Sequence, residues 1–237
     1  MSNIDNFWVV IPAAGVGKRM EVDHPKQYLR LEGSNSLNAT VIEQTISRFS
    51  HHSKIKGIVV VISKDDEYWP TLEINHTVPL YLAEGGKERC HSVLNGLTFL
   101  KGKAQENDWI LVHDAARPCL HLDDIEKLMG RLSDHSIGGL LGLPVADTLK
   151  FCSDDRQVKR TVDRSGLWRA LTPQMFRYQK LLDALNEAII YPEKITDEAS
   201  AIEMAGYEPL MVEGRWDNIK ITHPQDLSQA NLILESH

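Results

Sequence analysis

Two glycines and two cations follow an apolar run in "IPAAGVGKRM", residues 11–20, and Pro25 and Lys26 come soon after in "HPKQYLRLEG". Gly15 and Gly17 would let the backbone approach a phosphate and aim N–H groups at it, while Arg19 and Lys26 would supply charge. The loop is not a P-loop, which needs G-x-x-x-x-G-K-[ST]. It is not a dinucleotide fingerprint either, because Met20 stands where the third glycine would be. Taken alone, it reads equally as a phosphate cradle or a tight basic turn. Asp114 ends the apolar run "DWILVHDAA". A carboxylate at a strand's C-terminal end lies where open α/β sheets bind ligands; it could meet the hydroxyls of a ligand or, as the weaker option, take part in a metal site, with helix capping as the plainer alternative. His113 should face the opposite way along that strand and reads as packing.

The elements that must hold these residues alternate. "FWVVIPAA", "IKGIVVVIS", "VPLYLAE" and "DWILVHDAA" are short Val/Ile-rich runs, the pattern of buried strands. Helical spacing lies between them, in Ile42, Thr45, Ile46 and Phe49 and in Ile125, Leu128, Met129 and Leu132. Asp123 and Asp124 suit the start of the second of these helices. Thr222 with Gln225 predicts a capping box before "DLSQANLIL". Strands alternating with helices predict an α/β fold, a Rossmann-like, mostly parallel sheet with helices on both faces.

Residues 137–171 depart from this alternation. "IGGLLGLPVADTLKF" and "QVKRTVDRSGLWRAL" flank the polar turn "CSDDR" and predict a protruding β-hairpin arm at about residues 143–170. Val145, Thr148 and Lys150 set against Val158, Arg160 and Val162 give that arm little core. An isolated hairpin is marginal in water, so a second subunit is expected to cover it.

With 237 residues, 42% hydrophobic and 25% charged, the chain suits a single domain over residues 1–237. A net charge of −7 argues against nucleic acid or an anionic membrane as partner, so any anion site must be a local cluster of cations. The three cysteines include no C-x-x-C pair, and "MSNIDNFWVV" lacks a basic or long apolar leader. A reducing, cytoplasmic setting is expected. The ten histidines and five tryptophans form no metal or cage pattern, so no residue is assigned as a direct metal ligand; His51-His52 reads as a solvated helix end.

"PAAGVGKRM…PKQY" resembles the nucleotide-binding signature of the sugar-phosphate nucleotidyltransferases, and more narrowly of the 2-C-methyl-D-erythritol 4-phosphate cytidylyltransferases. "EGGKERCHSV", "VHDAARP", "DTLK", "TVDRSGLWRALTPQ", "TDEASAIE" and "EGRWDNIKIT" follow in that family's order. The resemblance implies transfer of a cytidylyl group from CTP to a polyol phosphate, with Mg²⁺ bound mainly through the CTP phosphates. It implies catalytic roles for Arg19, Lys26 and Lys220. It places Ala13, Ala14, Gly15 and Gly17 against the nucleotide, and Gly86 and Ser92 at the base. Lys87 stands where family members commonly carry an acid. The acceptor would meet Asp114, Arg117, Thr172 and Thr196, with Thr148 and Arg164 supplied by an arm exchanged within a homodimer. Asp197 and Glu198 read as helix-start acids.

Ribitol-5-phosphate cytidylyltransferase shares the opening motifs and is the alternative acceptor assignment; the intact "TVDRSGLWRALTPQ" favours methylerythritol phosphate. A sugar-1-phosphate nucleotidyltransferase using another base and a non-catalytic nucleotide-binding module are more distant. Retention of Arg19, Lys26 and Lys220 together argues against the module.

Overall fold

The computed structural model describes residues 5–15, 24–32, 39–191 and 194–236. Gly17 and Arg19 lie outside the described residues. Strand β1 (Phe7–Pro12) is buried on both faces. Val9 and Ile11 point to one side, and Trp8 and Val10 to the other. That two-sided burial is what a central strand of a covered sheet requires. It pairs in parallel with β2 (Ile55–Ile62) and β4 (Trp109–Val112), and β2 pairs in parallel with β3 (Leu80–Glu84).

On one face, α1 (Val41–Ser50) and α3 (Leu122–Leu132) bury Ile42, Ile46, Phe49 and Leu128. On the other, α2 (Arg89–Phe99) buries Val93 and Leu97. The α1 start is fixed by a capping box. The Glu43 carboxylate accepts from the Thr40 N–H at 2.6 Å, and Thr40 Oγ1 accepts from the Glu43 N–H at 3.3 Å.

The sheet is completed by β5 (Gly138–Pro144), β8 (Trp168–Arg177) and β9 (Leu210–Glu213), giving the order β3-β2-β1-β4-β8-β5-β9. Strand β8 runs antiparallel to both its neighbours, while β5 and β9 are parallel. The buried half of β8 begins at Leu171, the last residue of the expected extended stretch, and runs on through Phe176. It leads into α4 (Tyr178–Ala188), which packs with α5 (Glu198–Met204) on the α2 face.

Beyond Pro144 and Trp168 the ribbon continues as β6 (Leu149–Cys152) and β7 (Val158–Val162), which among the described residues pair only with each other. Leu149 opposes Val162 and Phe151 opposes Arg160. Phe151 and Val158 are 55% and 60% exposed.

The final helix α6 (Pro224–Glu235) closes a third apolar cluster with Leu31, Val41 and Ile221. Its cap lies one residue later than the sequence suggests. His223 is the N-cap, and the Asp226 carboxylate, rather than Gln225, accepts from the Thr222 and His223 N–H groups at 2.8 Å each. Pro224 at the first helical position sets this frame. His52 is buried and sits 3.0 Å from Glu126, so only His51 is the solvated histidine of that pair. Among the described residues no helix is long and apolar enough to cross a membrane.

Candidate active site

The C-terminal ends of β1 and β4 open onto a cleft of about 390 Å³. Ala13, Ala14 and Gly15 form one wall. Their carbonyl oxygens, which would repel a phosphate, are occupied. The Gln27 amide donates to Ala13 O at 2.6 Å and to Gly15 O at 3.0 Å, and Ser63 Oγ donates to Ala14 O at 3.4 Å. Lys26 enters from the turn before α1, its Nζ donating to the Ile221 carbonyl at 2.9 Å. That bond joins the N-terminal loop to the extended segment carrying Lys220, far along the chain.

The opposite wall is the loop entering α2. Ser92 Oγ accepts from the Gly86 N–H at 3.1 Å and donates to the Glu88 carbonyl at 3.2 Å, so it stitches that loop closed. Lys87, exposed, lines the cleft beside Gly86.

At the floor stands Asp114. Its Oδ1 accepts from Arg89 Nε at 3.1 Å; its Oδ2 accepts from Lys220 Nζ at 2.8 Å and faces Arg117 Nε at 3.4 Å. Arg89 also forms a two-pronged pair with Glu198, at 2.6 and 3.1 Å. Burial alone would raise the Asp114 carboxyl, yet Arg89, Lys220 and Arg117 hold it well below the usual carboxylate range. Burial pushes the Glu198 carboxyl up, and the bidentate guanidinium, always charged, keeps that pair ionic. Three cations therefore face two carboxylates, leaving the floor electropositive.

A second chamber of about 280 Å³ shares Arg89, Asp114 and Lys220 with the first and adds Arg117, Thr172 and Thr196. Behind its wall a hydrogen-bond chain has only one consistent direction. The Arg117 carbonyl can only accept, so His113 Nε2 carries the proton and donates to it at 3.0 Å. His113 Nδ1 must then accept from the Thr172 hydroxyl at 3.0 Å, and Thr172 Oγ1 accepts from the Asp114 N–H at 3.1 Å. Burial pushes the His113 imidazole down to about 4, so it is neutral here. His113 is core packing, edge-on to Phe49, and also the residue that orients Thr172 and Asp114.

The family model for 2-C-methyl-D-erythritol 4-phosphate cytidylyltransferase (IspD) matches residues 7–236. The chain belongs to that family. A curated relative of that name from Pseudomonas entomophila (strain L48) is 51% identical over 222 residues, covering 93% of this chain and 92% of the relative. Another, from Pseudomonas aeruginosa PAO1, is 51% identical over 227 residues, covering 95% of each. Among solved structures, a 4-diphosphocytidyl-2C-methyl-D-erythritol synthase matches with TM-score 0.82 at 37% identity, covering 97% of this chain and 99% of that one. The Francisella tularensis 2-C-methyl-D-erythritol 4-phosphate cytidylyltransferase matches with TM-score 0.82 at 35% identity, covering 97% and 100%. The chain is a cytidylyltransferase of the isoprenoid pathway, a nucleotidyltransferase by class.

Within that family frame, the chain brings together most residues singled out from sequence. Ala13, Ala14, Gly15, Lys26, Gly86 and Ser92 line the first chamber. Arg117, Thr172 and Thr196 line the second, and Asp114 and Lys220 line both. Thr148 and Arg164 are exposed on the β6–β7 ribbon and line neither chamber. Asp197 is the α5 N-cap, as a helix-start acid should be. Glu198, though at the helix start, spends its carboxylate on Arg89 instead. Arg89, Gln27 and His113 are the site residues that sequence reasoning missed. "KERCHS" contained Arg89, but nothing local marks a partner 109 positions away.

Proposed function

We propose that the chain transfers the cytidylyl group of CTP to 2-C-methyl-D-erythritol 4-phosphate, giving 4-diphosphocytidyl-2-C-methyl-D-erythritol and pyrophosphate. The observation that carries this reading is the meeting of two chambers on Arg89, Asp114 and Lys220. The triphosphate would lie in the first chamber and the acceptor in the second, so their reacting atoms would meet beside Lys220. An acceptor phosphate oxygen attacks the α-phosphorus, the α–β bridging P–O bond breaks, and pyrophosphate leaves with the electron pair. With a second phosphate pKa of about 6 the nucleophile is already largely dianionic at neutral pH, and no general base is required. The task is to align two anions that repel each other and to neutralise the charge that builds between them.

Lys26 and Lys220 perform that neutralisation, with Arg19 completing the set. Ala13, Ala14, Gly15 and Gly17 support the phosphates, and Gly86 and Ser92 the base. Asp114 has three of its roughly four lone-pair sites engaged by cations and keeps one for an acceptor hydroxyl. Arg117 and Thr196 complete the acceptor pocket. The single proton of Thr172 is committed to His113, so its hydroxyl would accept from the polyol rather than donate to its phosphate.

Mg²⁺ would travel on the triphosphate. Asp114 is taken up by cations, and Glu88 is the one other carboxylate among the described residues that line the cleft, so these residues offer no oxygen cage for that ion. The β6–β7 ribbon would cross to a second copy of the chain and bring Thr148 and Arg164 to the partner's acceptor. Its exposed Phe151 and Val158 support that reading.

Phosphorus NMR tests the reaction. CTP and methylerythritol phosphate with the enzyme and Mg²⁺ should yield two mutually coupled diphosphate doublets and free pyrophosphate. Release of CMP or inorganic phosphate without the coupled doublets would refute the transfer.

A further inference from the structure

The loop that opens α2 carries three metal-ligating side chains that stand outside the ion-pair network. Glu88 is the N-cap of α2, and Cys90 and His91 lie in its first turn. Cys90 Sγ is 3.6 Å from His91 Nδ1 and 4.0 Å from Glu88 Oε2. One ligand atom from each of the three residues lies within 4.8 Å of the others.

Those separations have a meaning for a tetrahedral ion. Zinc at about 2.3 Å from sulfur and about 2.05 Å from nitrogen holds the two ligand atoms about 3.6 Å apart, and sulfur and a carboxylate oxygen about the same. The sulfur–nitrogen edge is already at that distance. The sulfur–oxygen edge needs a shift of about 0.4 Å, within reach of the exposed Glu88 side chain. A thiolate, an imidazole and a carboxylate form a borderline-soft set that suits Zn²⁺ and its neighbours and not Mg²⁺.

A second observation ties the cluster to the nucleotide chamber. Gly86 packs so closely on α2 that a Cβ there would stand 2.3 Å from the His91 Cβ. Ser92, next in the helix, bonds both Gly86 and Glu88. The ligand-bearing turn and the loop proposed to meet the base are therefore one packed unit.

We propose that Glu88, Cys90 and His91 form a site for a zinc-class divalent ion on the rim of the nucleotide chamber, with a fourth position open to water or to a ligand in the cleft. The ion displaces the Cys90 thiol proton, which passes to solvent. Burial pushes that thiol above its ordinary value, so the metal competes with a tightly held proton. The sequence alone hides the site, because E-x-C-H matches none of the usual zinc spacings.

Cobalt is the probe, and none of the readouts depends on catalysis. The protein carries Cys152→Ser, which removes the exposed thiol on the hairpin. Co²⁺ is titrated without Mg²⁺ or nucleotide. The expected result is a near-ultraviolet thiolate-to-cobalt band that saturates at one equivalent and is bleached by Zn²⁺. Cys90→Ser should abolish it, and Glu88→Gln and His91→Asn should each weaken cobalt binding about tenfold or more. The site is refuted by the absence of the band, or by its survival in a folded Cys90→Ser protein. Should Cys90→Ser not fold, the other two variants decide. Cobalt affinity equal to the parent's in both also refutes the site.

Discussion

Lys26 and Lys220 reach the cleft from opposite ends of the chain, and each is held near a fixed partner, the Ile221 carbonyl and the Asp114 carboxylate. Charges held in place before the reaction act mainly where charge develops. Lys26→Ala and Lys220→Ala should therefore each lower kcat about 10²–10³-fold, the scale of losing one oxyanion donor. Steady-state kinetics that show only a raised KM for CTP would reassign both to ground-state binding. Arg89 is a different case, because Glu198 is 1% exposed and has nowhere else to place its charge. Arg89→Met should cost about 3–5 kcal/mol of unfolding free energy in urea, as breaking one side of a buried pair does. A loss below about 1 kcal/mol would place the pair among surface bridges. His113 gives the pH signature. Its folded value of about 4 lies below the ordinary ~6.5 of an unfolded histidine. Above that ordinary value both states are neutral and nothing is lost. As pH falls from there towards the folded value, only the unfolded chain takes the proton, so stability drops about tenfold in equilibrium constant per pH unit. His113→Asn should flatten that part of the stability–pH curve, and an unchanged slope would contradict the buried neutral imidazole. Lys26, Lys220 and Asp114 were legible in the sequence through their motifs. Glu198 was not, because its role is set by a long-range contact that no spacing records.

The loop joining β3 to α2 shows what the elements contribute. A Cβ on Gly85 would stand 2.3 Å from the Ala14 Cβ, so the two walls of the nucleotide chamber touch there through a missing side chain. Gly85→Ala must push the walls apart. The KM for CTP should rise well above tenfold while far-ultraviolet circular dichroism stays native; an unchanged KM would show that the chamber tolerates the wider spacing. Periodicity made β1, β2, β4, α1 and α3 readable, because each carries a buried stripe of its own. Strand β3 showed only through its apolar composition, and as an edge strand it is half-buried, with Leu82 43% exposed, rather than the buried strand expected. Periodicity gave no sign that β8 returns antiparallel through the sheet centre, since "LTPQMFR" looks like neither an alternating nor a continuously apolar strand. The α6 cap was placed one residue early because Gln225 fits the capping-box pattern, whereas Pro224 moves the true cap to His223.

At the scale of the molecule, one chain supplies both chambers but leaves Thr148 and Arg164 outside them. If the ribbon crosses to a two-fold partner, each site combines Lys26 of one chain with Arg164 of the other. Lys26→Ala and Arg164→Ala proteins should each be nearly inactive alone. Refolded together, half the dimers are mixed and each mixed dimer holds one intact site, so about a quarter of wild-type activity should return. No recovery, with mixed dimers confirmed by mass spectrometry, would mean that the ribbon serves its own chain or none. The alternation of strands and helices made the sheet legible, and the thin core of the ribbon called for a second subunit, but the surface that covers it was not legible, because its exposed apolar side chains name no particular contact. The reaction itself is tested most directly by pyrophosphate release with four nucleoside triphosphates crossed against methylerythritol phosphate, ribitol 5-phosphate and a sugar 1-phosphate. Turnover should be confined to CTP with methylerythritol phosphate. Equal or faster turnover of ribitol 5-phosphate, or of another nucleotide, would contradict it.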